Sequence, residues 1–483
     1  MKTPILILAA LATAAIADAA LRPHSMLTDH MVLQQQTDAT LRGTDTPGAR
    51  ITVTPSWDSR TYTATTGADG RWAVNVATPA GSYTPYSITI GNDSGESLTL
   101  DDVLVGEVWL ASGQSNMQMP LKGFPGCCVR GGYDEIASAG AQAGKIRFYT
   151  LPLAQSYTPI DTVAAVWAVP SPETAPEFSA VAWHYARRLT DVLEVPVGIV
   201  SAAFGGARVE SWTPRDMLET YPDVSLDPAD IEAMAGYLRP LVMYNAMFNP
   251  VKGYTYKGII WYQGCSNVRS WETYADRLSA MITRWRAEIG LGDIPFYAVE
   301  IAPYDYDTPN EDGRSPMLRL AQWEAVSRVP QADMICINDL VEPYERHNIH
   351  PAEKAAVGKR LGDLSLNRTY GRRQFLAGSP RYKGHRFEGR EAWVAIDSPN
   401  DGICRNYDIR GFEIAGPDGV FYPADQARLN WQTNEIVVSS DRVDEPRAVR
   451  YGFGDFVPGT LHGGNYLPLI PFSSEFCRSG ENL

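Results

Sequence analysis

Four short polar turns hold the residues of this 483-residue chain best suited to acyl-transfer chemistry. They read Gly113-Gln114-Ser115-Asn116, Phe204-Gly205-Gly206, Gly264-Cys265-Ser266-Asn267 and Asn348-Ile349-His350-Pro351. A serine hydroxyl attacks a carbonyl only when a base takes its proton, and the oxyanion that forms needs donors fixed where the charge appears. Ser115 supplies the hydroxyl and His350 the base. Three groups supply donors: the backbone N–H of Ser115, that of Gly206 or its neighbour Gly205, and the side-chain amide of Asn267. Glycine lets backbone approach a ligand closely, and an amide donates without competing for the proton. Loss of one such donor costs ~3 kcal/mol, about a hundredfold in rate. Each residue taken singly is also an ordinary turn former or cap. Their shared position at the ends of successive strands is what makes them a set.

Those strands follow from the pattern of the middle of the chain. From about residue 102, apolar runs of strand length alternate with helical periodicity, which predicts a mostly parallel sheet covered by helices. The strands are expected at 103–111, 146–150, 195–201, 257–262, 295–301 and 333–338. Tyr274, Leu278, Met281, Ile282, Trp285 and Ile289 recur at helical spacing, and Gly290 stands where a C-cap glycine would. Further helices are expected at 179–193 and after Pro351. In an open α/β sheet, ligands bind beyond the carboxyl ends of the strands, where the four turns lie.

The flanks differ. Residues 20–100 and 371–483 are short Thr-, Val-, Ile- and aromatic-rich runs cut by turn signals such as Asp-Gly, so β-rich accessory segments are expected on either side of a catalytic unit at 101–370. The first of these is expected to be β-sandwich-like. Residues 1–19 carry Lys2, a brief apolar run and small residues at Ala17-Asp18-Ala19, the pattern of a cleaved signal peptide and too short to span a membrane. The chain is therefore expected to be exported, periplasmic or extracellular, with no membrane attachment after cleavage.

Composition narrows the partners. Lys plus Arg number 42 against 56 Asp plus Glu, a net charge of −14, with no basic cluster to neutralise phosphates, so nucleic acid is excluded as a partner. Six cysteines in so long a chain make no scaffold of disulfides. Oligomeric state is not readable.

The strings "DHMVLQQ", "GEVWLASGQSNMQMPL", "FGGARVESW", "GIIWYQGCSN", "IHPAEKAAVGKRL", "GFEIAGPDGVFYPA" and "AVRYGF" followed by "NYLPLIPF" occur in that order. In them the chain resembles the sialate O-acetylesterase family of SGNH hydrolases over nearly its whole length. The resemblance implies a three-layer α/β/α SGNH-hydrolase domain with accessory β structure. It also implies an exported serine esterase acting on O-acetylated sialic acid, at the 9-position, without metal or other cofactor. On this reading Ser115 is the nucleophile, His350 the base, and Ser115, Gly206 and Asn267 the oxyanion donors.

Two departures from the family pattern matter. Many members carry Asp shortly before the catalytic His, whereas this chain reads "YERHNIHP". A Ser-His dyad is expected, its ring oriented by Asn348, Glu345, Glu342 or a backbone carbonyl. Cys265 stands where relatives often have Glu, which raises a Cys-His hydrolase as an alternative, beside a buried thiol or a disulfide to Cys127 or Cys128. His347 with His350 makes a His-x-x-His pair, but Pro351 disfavours helix there and no third ligand is evident.

A sialate carboxylate calls for a cation, and Arg208, Arg130 and Arg269 lie near the turns. Gln114, Asn116 and Gln263, polar residues within or next to the turns, complete the substrate-binding candidates; Trp212 and Tyr262 are candidates to stack on a sugar. The rival substrates are acetylated xylan or another polysaccharide. The rival class is a non-catalytic glycan-binding protein.

Overall fold

The computed structural model describes residues 20–306, 314–398, 402–404 and 408–477; the signal-peptide expectation at 1–19 falls outside the described residues. The site is carried by a mixed sheet of eleven strands. Its central members are β1 (Ser97–Gly113), β2 (Ile146–Thr150), β3 (Val197–Ala203), β4 (Gly258–Tyr262), β5 (Phe296–Val299) and β6 (Ala332–Ile335), in the spatial order β2-β3-β1-β4-β5-β6. Each neighbouring pair along that path is parallel. The short strand Trp167–Ala168 closes the β2 edge antiparallel.

Strand β1 is 17 residues long because it belongs to two regions at once. Its first half pairs antiparallel with Ser82–Asn92 and parallel with Val32–Gln34; its second half lies between β3 and β4. At the passage stands Asp102, with φ +53, a left-handed conformation that Asp tolerates better than most residues. Its carboxylate accepts from Arg147 at 2.9 Å and His30 at 2.7 Å. The division expected between residues 100 and 101 therefore falls inside one continuous strand. The rest of the N-terminal region is a three-stranded sheet (Arg22–Pro23, Asp38–Thr44, Arg71–Ala77) facing strands that are themselves part of the large sheet.

Successive residues of a strand point to opposite faces, and the central sheet is buried on both. Val108 and Leu110 enter one apolar cluster, Trp109 and Ala111 the other. Helices α1 (Ala180–Leu193) and α4 (Ala355–Arg368) cover the Trp109 face; α2 (Tyr274–Ile289) and α3 (Arg314–Ser327) cover the Leu110 face. Ser179 caps α1, its hydroxyl accepting from Ala182 N at 3.2 Å, and Gly290 ends α2 with φ +76. The C-terminal region forms two four-stranded antiparallel sheets around a separate core that includes Val394, Ile414, Ile436 and Phe472.

Register decides what the turns can do. Gly113 of β1 pairs with Ala203 of β3 and with Tyr262 of β4. Three strands thus end at one level, so Gln114, Phe204 and Gln263 leave the sheet side by side.

Candidate active site

At the end of β1, Gly113 adopts φ +134, which an L side chain rarely takes, and the chain turns at Gln114 into the short helix Ser115–Gln118. Gln114 ties the corner to the next strand. Its N–H donates to Tyr262 O at 2.9 Å and its Oε1 accepts from Gly264 N at 3.0 Å. Ser115 is left half-buried at the start of the helix, its Oγ 2.8 Å from Nε2 of His350. For Nε2 to accept the serine proton, the ring must carry its own proton on Nδ1.

His350 comes from a loop that is braced at several points. Glu345 accepts from Glu342 N at 3.1 Å and from Ala352 N at 2.8 Å, closing the chain on either side of the histidine. Asn348 Oδ1 accepts from the backbone N–H of His350 at 3.0 Å, an Asx-type turn, and from the Cys127 thiol at 3.6 Å. Phe124 meets the imidazole edge to face, centroids 5.3 Å apart. Asn348 and Glu345, expected to orient the ring, instead hold the backbone that carries it; their oxygens are taken up by main-chain N–H groups and, at Asn348, also by the Cys127 thiol. Among the described residues no carboxylate forms an ion pair or hydrogen bond with the imidazole.

Burial, helped by the nearby Lys354 charge, lowers the His350 pKa to about 4, so the ring is neutral at pH 7 and able to accept a proton. Lys354 is a site residue that sequence reasoning missed. Its side chain is fully buried, and Nζ donates to Asn116 Oδ1 at 2.7 Å while Asn116 Nδ2 donates to the carbonyl of Ile349 at 2.9 Å. Burial pushes its own pKa down to about 7. Nothing in "PAEKAAVG" distinguishes this lysine from a surface one; only the packing of the loop over Asn116 does. Below that pH the ammonium is charged and disfavours protonation of His350. Lys354→Met is therefore expected to move the acid limb of kcat/KM upward, from about pH 4 toward the ordinary histidine value of 6.5. A pH profile of the variant checks it; an unmoved limb would remove Lys354 from the electrostatics of the base.

The second turn separates its two glycines. Gly205 N–H donates to Gln118 Oε1 at 2.7 Å, whereas Gly206, at φ +76, has no such partner among the described residues. Gly206 is the free donor, and Gln118, which the sequence reading passed over, makes the distinction. Asn267 has no exposed surface. Its Oδ1 accepts from Val209 N at 3.1 Å and Gln263 Nε2 at 2.7 Å, and its Nδ2 donates to Glu210 at 3.0 Å. Glu210 is itself paired with buried Arg277 at 2.6 Å. Asn267 Nδ2 also donates to the other Glu210 oxygen at 3.4 Å, so both oxygens of that carboxylate hold the Asn267 amide beyond the end of β4.

Several substrate-binding candidates turn out to be internal supports. Gln114, Asn116 and Gln263 are 2%, 0% and 0% exposed. Gln114 Oε1 is taken by Gly264, the Asn116 amide by Ile349 and Lys354, and the Gln263 amide by Ala207, Asn267 and Tyr274. Trp212 and Tyr262 are buried in the two cores and present no face to a sugar. Arg130 is ion-paired with Glu342 and Glu353, both at 3.4 Å. Arg269 is exposed on the short helix Cys265–Thr273. Arg208 is half-buried beside the Gly206 turn; its Nε donates to Ser266 O at 3.2 Å and its terminal nitrogens have no partner among the described residues.

The Cys265 thiol is buried and pushed up to about 11, so it is protonated at neutral pH and a poor nucleophile. All six cysteines are unpaired, which removes the disulfide to Cys127 or Cys128. His347 is exposed, and among the described residues no group of three His, Cys, Asp or Glu side chains is placed to hold a metal ion.

Residues 105–367 match the family described as carbohydrate esterase, sialic acid-specific acetylesterase. The chain is 26% identical to the sialate O-acetylesterase of Rattus norvegicus, over 94% of each chain. It is 28% identical to that of Homo sapiens over 70% of this chain and 69% of the relative. Among solved structures it is similar to a novel carbohydrate acetylesterase from Xanthomonas citri, with a TM-score of 0.83 and 30% identity over 94% of this chain and all of that one. No helix among the described residues is long and apolar enough to cross a membrane.

Proposed function

We propose, from the premise that this chain belongs to the sialic acid-specific acetylesterase family of carbohydrate esterases, that it releases acetate from O-acetylated sialoglycans through an acetyl-serine intermediate. The observation that carries the mechanism is the 2.8 Å contact between Ser115 Oγ and a neutral His350, on turns that leave one end of the sheet together. Ser115 attacks the acetyl carbonyl as His350 takes its proton. The tetrahedral oxyanion is met by the N–H groups of Ser115 and Gly206 and by the side-chain amide of Asn267. His350 then hands the proton to the departing sugar oxygen. In the second half, His350 deprotonates a water that attacks the acetyl-enzyme, and acetate leaves as the proton returns to Ser115.

The base works as a dyad. Among the described residues no carboxylate steadies the imidazolium, so the third member of a triad is replaced by a rigid loop, with Asn348, Glu345 and Asn116 fixing backbone rather than charge. Arg208 is the cation for the sialate carboxylate: anchored through one nitrogen, it keeps two donors for a bidentate pair. The central unit is read as a three-layer SGNH-type domain, with helices on both faces of the parallel strands, and the protein as exported by way of residues 1–19.

The pocket rim, not the acyl-transfer machinery, selects the sugar. Acetate release from acetylated mucin sialic acids is expected to exceed that from acetylated xylan at equal acetyl concentration. Faster turnover of xylan would transfer the mechanism to a plant-polysaccharide substrate.

A further inference from the structure

Beside the Gly206 turn stands a surface that the acyl-transfer chemistry does not use. A Cβ on Gly206 would lie 2.6 Å from Cδ2 and 2.9 Å from Cγ of Tyr237, so that ring rests directly on the oxyanion turn. A Cβ on Gly205 would lie 3.5 Å from Cβ of Ser115. Nucleophile, oxyanion turn and phenol ring therefore follow one another in contact. Yet Tyr237, on the single helical turn Gly236–Leu238, is 45% exposed.

The same surface continues away from Ser115. Gly236 packs against the exposed Gln155 side chain, whose amide nitrogen is 3.1 Å from where a Cβ would be. Arg239 donates to the hydroxyl of Tyr157 at 3.0 Å, and Tyr157 is 41% exposed. The backbone beneath is held firmly. Ser156 N donates to Val242 O at 3.2 Å, and Asn245 Nδ2 donates to Ser156 O at 3.0 Å. Two open aromatic rings on fixed backbone, with an amide and a guanidinium between them, contribute little to the core. They match what a pyranose presents: apolar C–H faces to stack and hydroxyls around the edge to hydrogen-bond.

We propose that Tyr237 is the stacking platform of a sugar subsite next to the acetylated position, extended by Gln155, Arg239 and Tyr157, and that the substrate is an acetylated oligosaccharide or longer glycan rather than a free acetylated monosaccharide. This rests on the esterase reading of Ser115 and adds what lies beyond the ester.

The test compares wild type, Tyr237→Ala and Tyr237→Trp on 4-nitrophenyl acetate and on an acetylated glycan: acetylated mucin or acetylated xylan, whichever wild type turns over faster. Tyr237→Ala is expected to lower the ratio of kcat/KM for glycan over 4-nitrophenyl acetate by about tenfold, chiefly through KM, and Tyr237→Trp to restore it. An unchanged ratio, whether both rates hold or both fall together, would overturn the subsite. So would a wild-type kcat/KM on free O-acetylated sialic acid as high as on the glycan. Ser115→Ala on 4-nitrophenyl acetate tests the esterase reading by itself, so either reading can fail without the other.

Discussion

Ser115→Ala is expected to lower kcat for acetyl-ester hydrolysis by ~10⁴- to 10⁶-fold, and His350→Ala by a comparable factor. The two residues act as one unit: an alcohol without its base is a weak nucleophile, and a base without the alcohol activates only water. The double variant is therefore expected to be no worse than either single one. The residual rate belongs to the oxyanion donors and substrate binding, which these changes leave in place. Both positions are half-buried and free of backbone strain, so thermal unfolding should stay close to wild type. Steady-state acetate release with each variant checks the prediction. Activity of Ser115→Ala above about 1% of wild type would place the nucleophile elsewhere. Cys265 is a poor substitute, since its thiol is buried and protonated at neutral pH.

Gly113→Ala is expected to damage both stability and rate, although no atom of Gly113 takes part in the reaction. A Cβ there would come 2.2 Å from the carbonyl oxygen of Tyr262 and 2.7 Å from its carbon, and neither is the free end of a flexible side chain. The φ of +134 adds backbone strain for any L residue. Overpacking and strain each cost ~1–3 kcal/mol, so destabilisation of roughly 2–5 kcal/mol is expected. Relief requires β1 and β4 to separate at their ends, which moves Gln114 off Tyr262 and Gly264 and carries Ser115 away from His350. A displacement of about 1 Å costs ~10²-fold in kcat. Thermal unfolding and kcat measured on the same sample check both effects. An unaltered kcat in a variant of unaltered stability would show that the corner adapts, and that the contact with Tyr262 does not set the position of Ser115.

Much of the frame was legible. Strand β2 lies at the expected residues, and α2 runs from Tyr274 to Ile289 and ends at Gly290. These are strong signals because burial on one or both faces imposes a short repeat on neighbouring residues. The turns were legible for a related reason: Gly, Asn, Ser and Pro leave strands and helices by mechanisms local to the backbone. The boundary at residue 100 was not, because one strand can serve two regions without any break in its own pattern. Asp102 marks the passage only through its φ and its tie to Arg147.

At the site the division is sharper. Residue type told which groups can attack, accept a proton or donate to an oxyanion, since those are properties of a side chain wherever it stands. Which polar groups remain free to do so was settled by contacts between segments far apart in the chain. Gln118 occupies Gly205 and leaves Gly206 open; Gly264 occupies Gln114; Ile349 and Lys354 occupy Asn116. The same holds for charge. His350 is neutral at pH 7 because the fold buries it beside Lys354, and Arg208 keeps its terminal nitrogens because no carboxylate of the described chain reaches them. A hydrogen bond or an ion pair needs a second partner at a few ångströms, and that distance is a property of the folded chain, not of its order of residues.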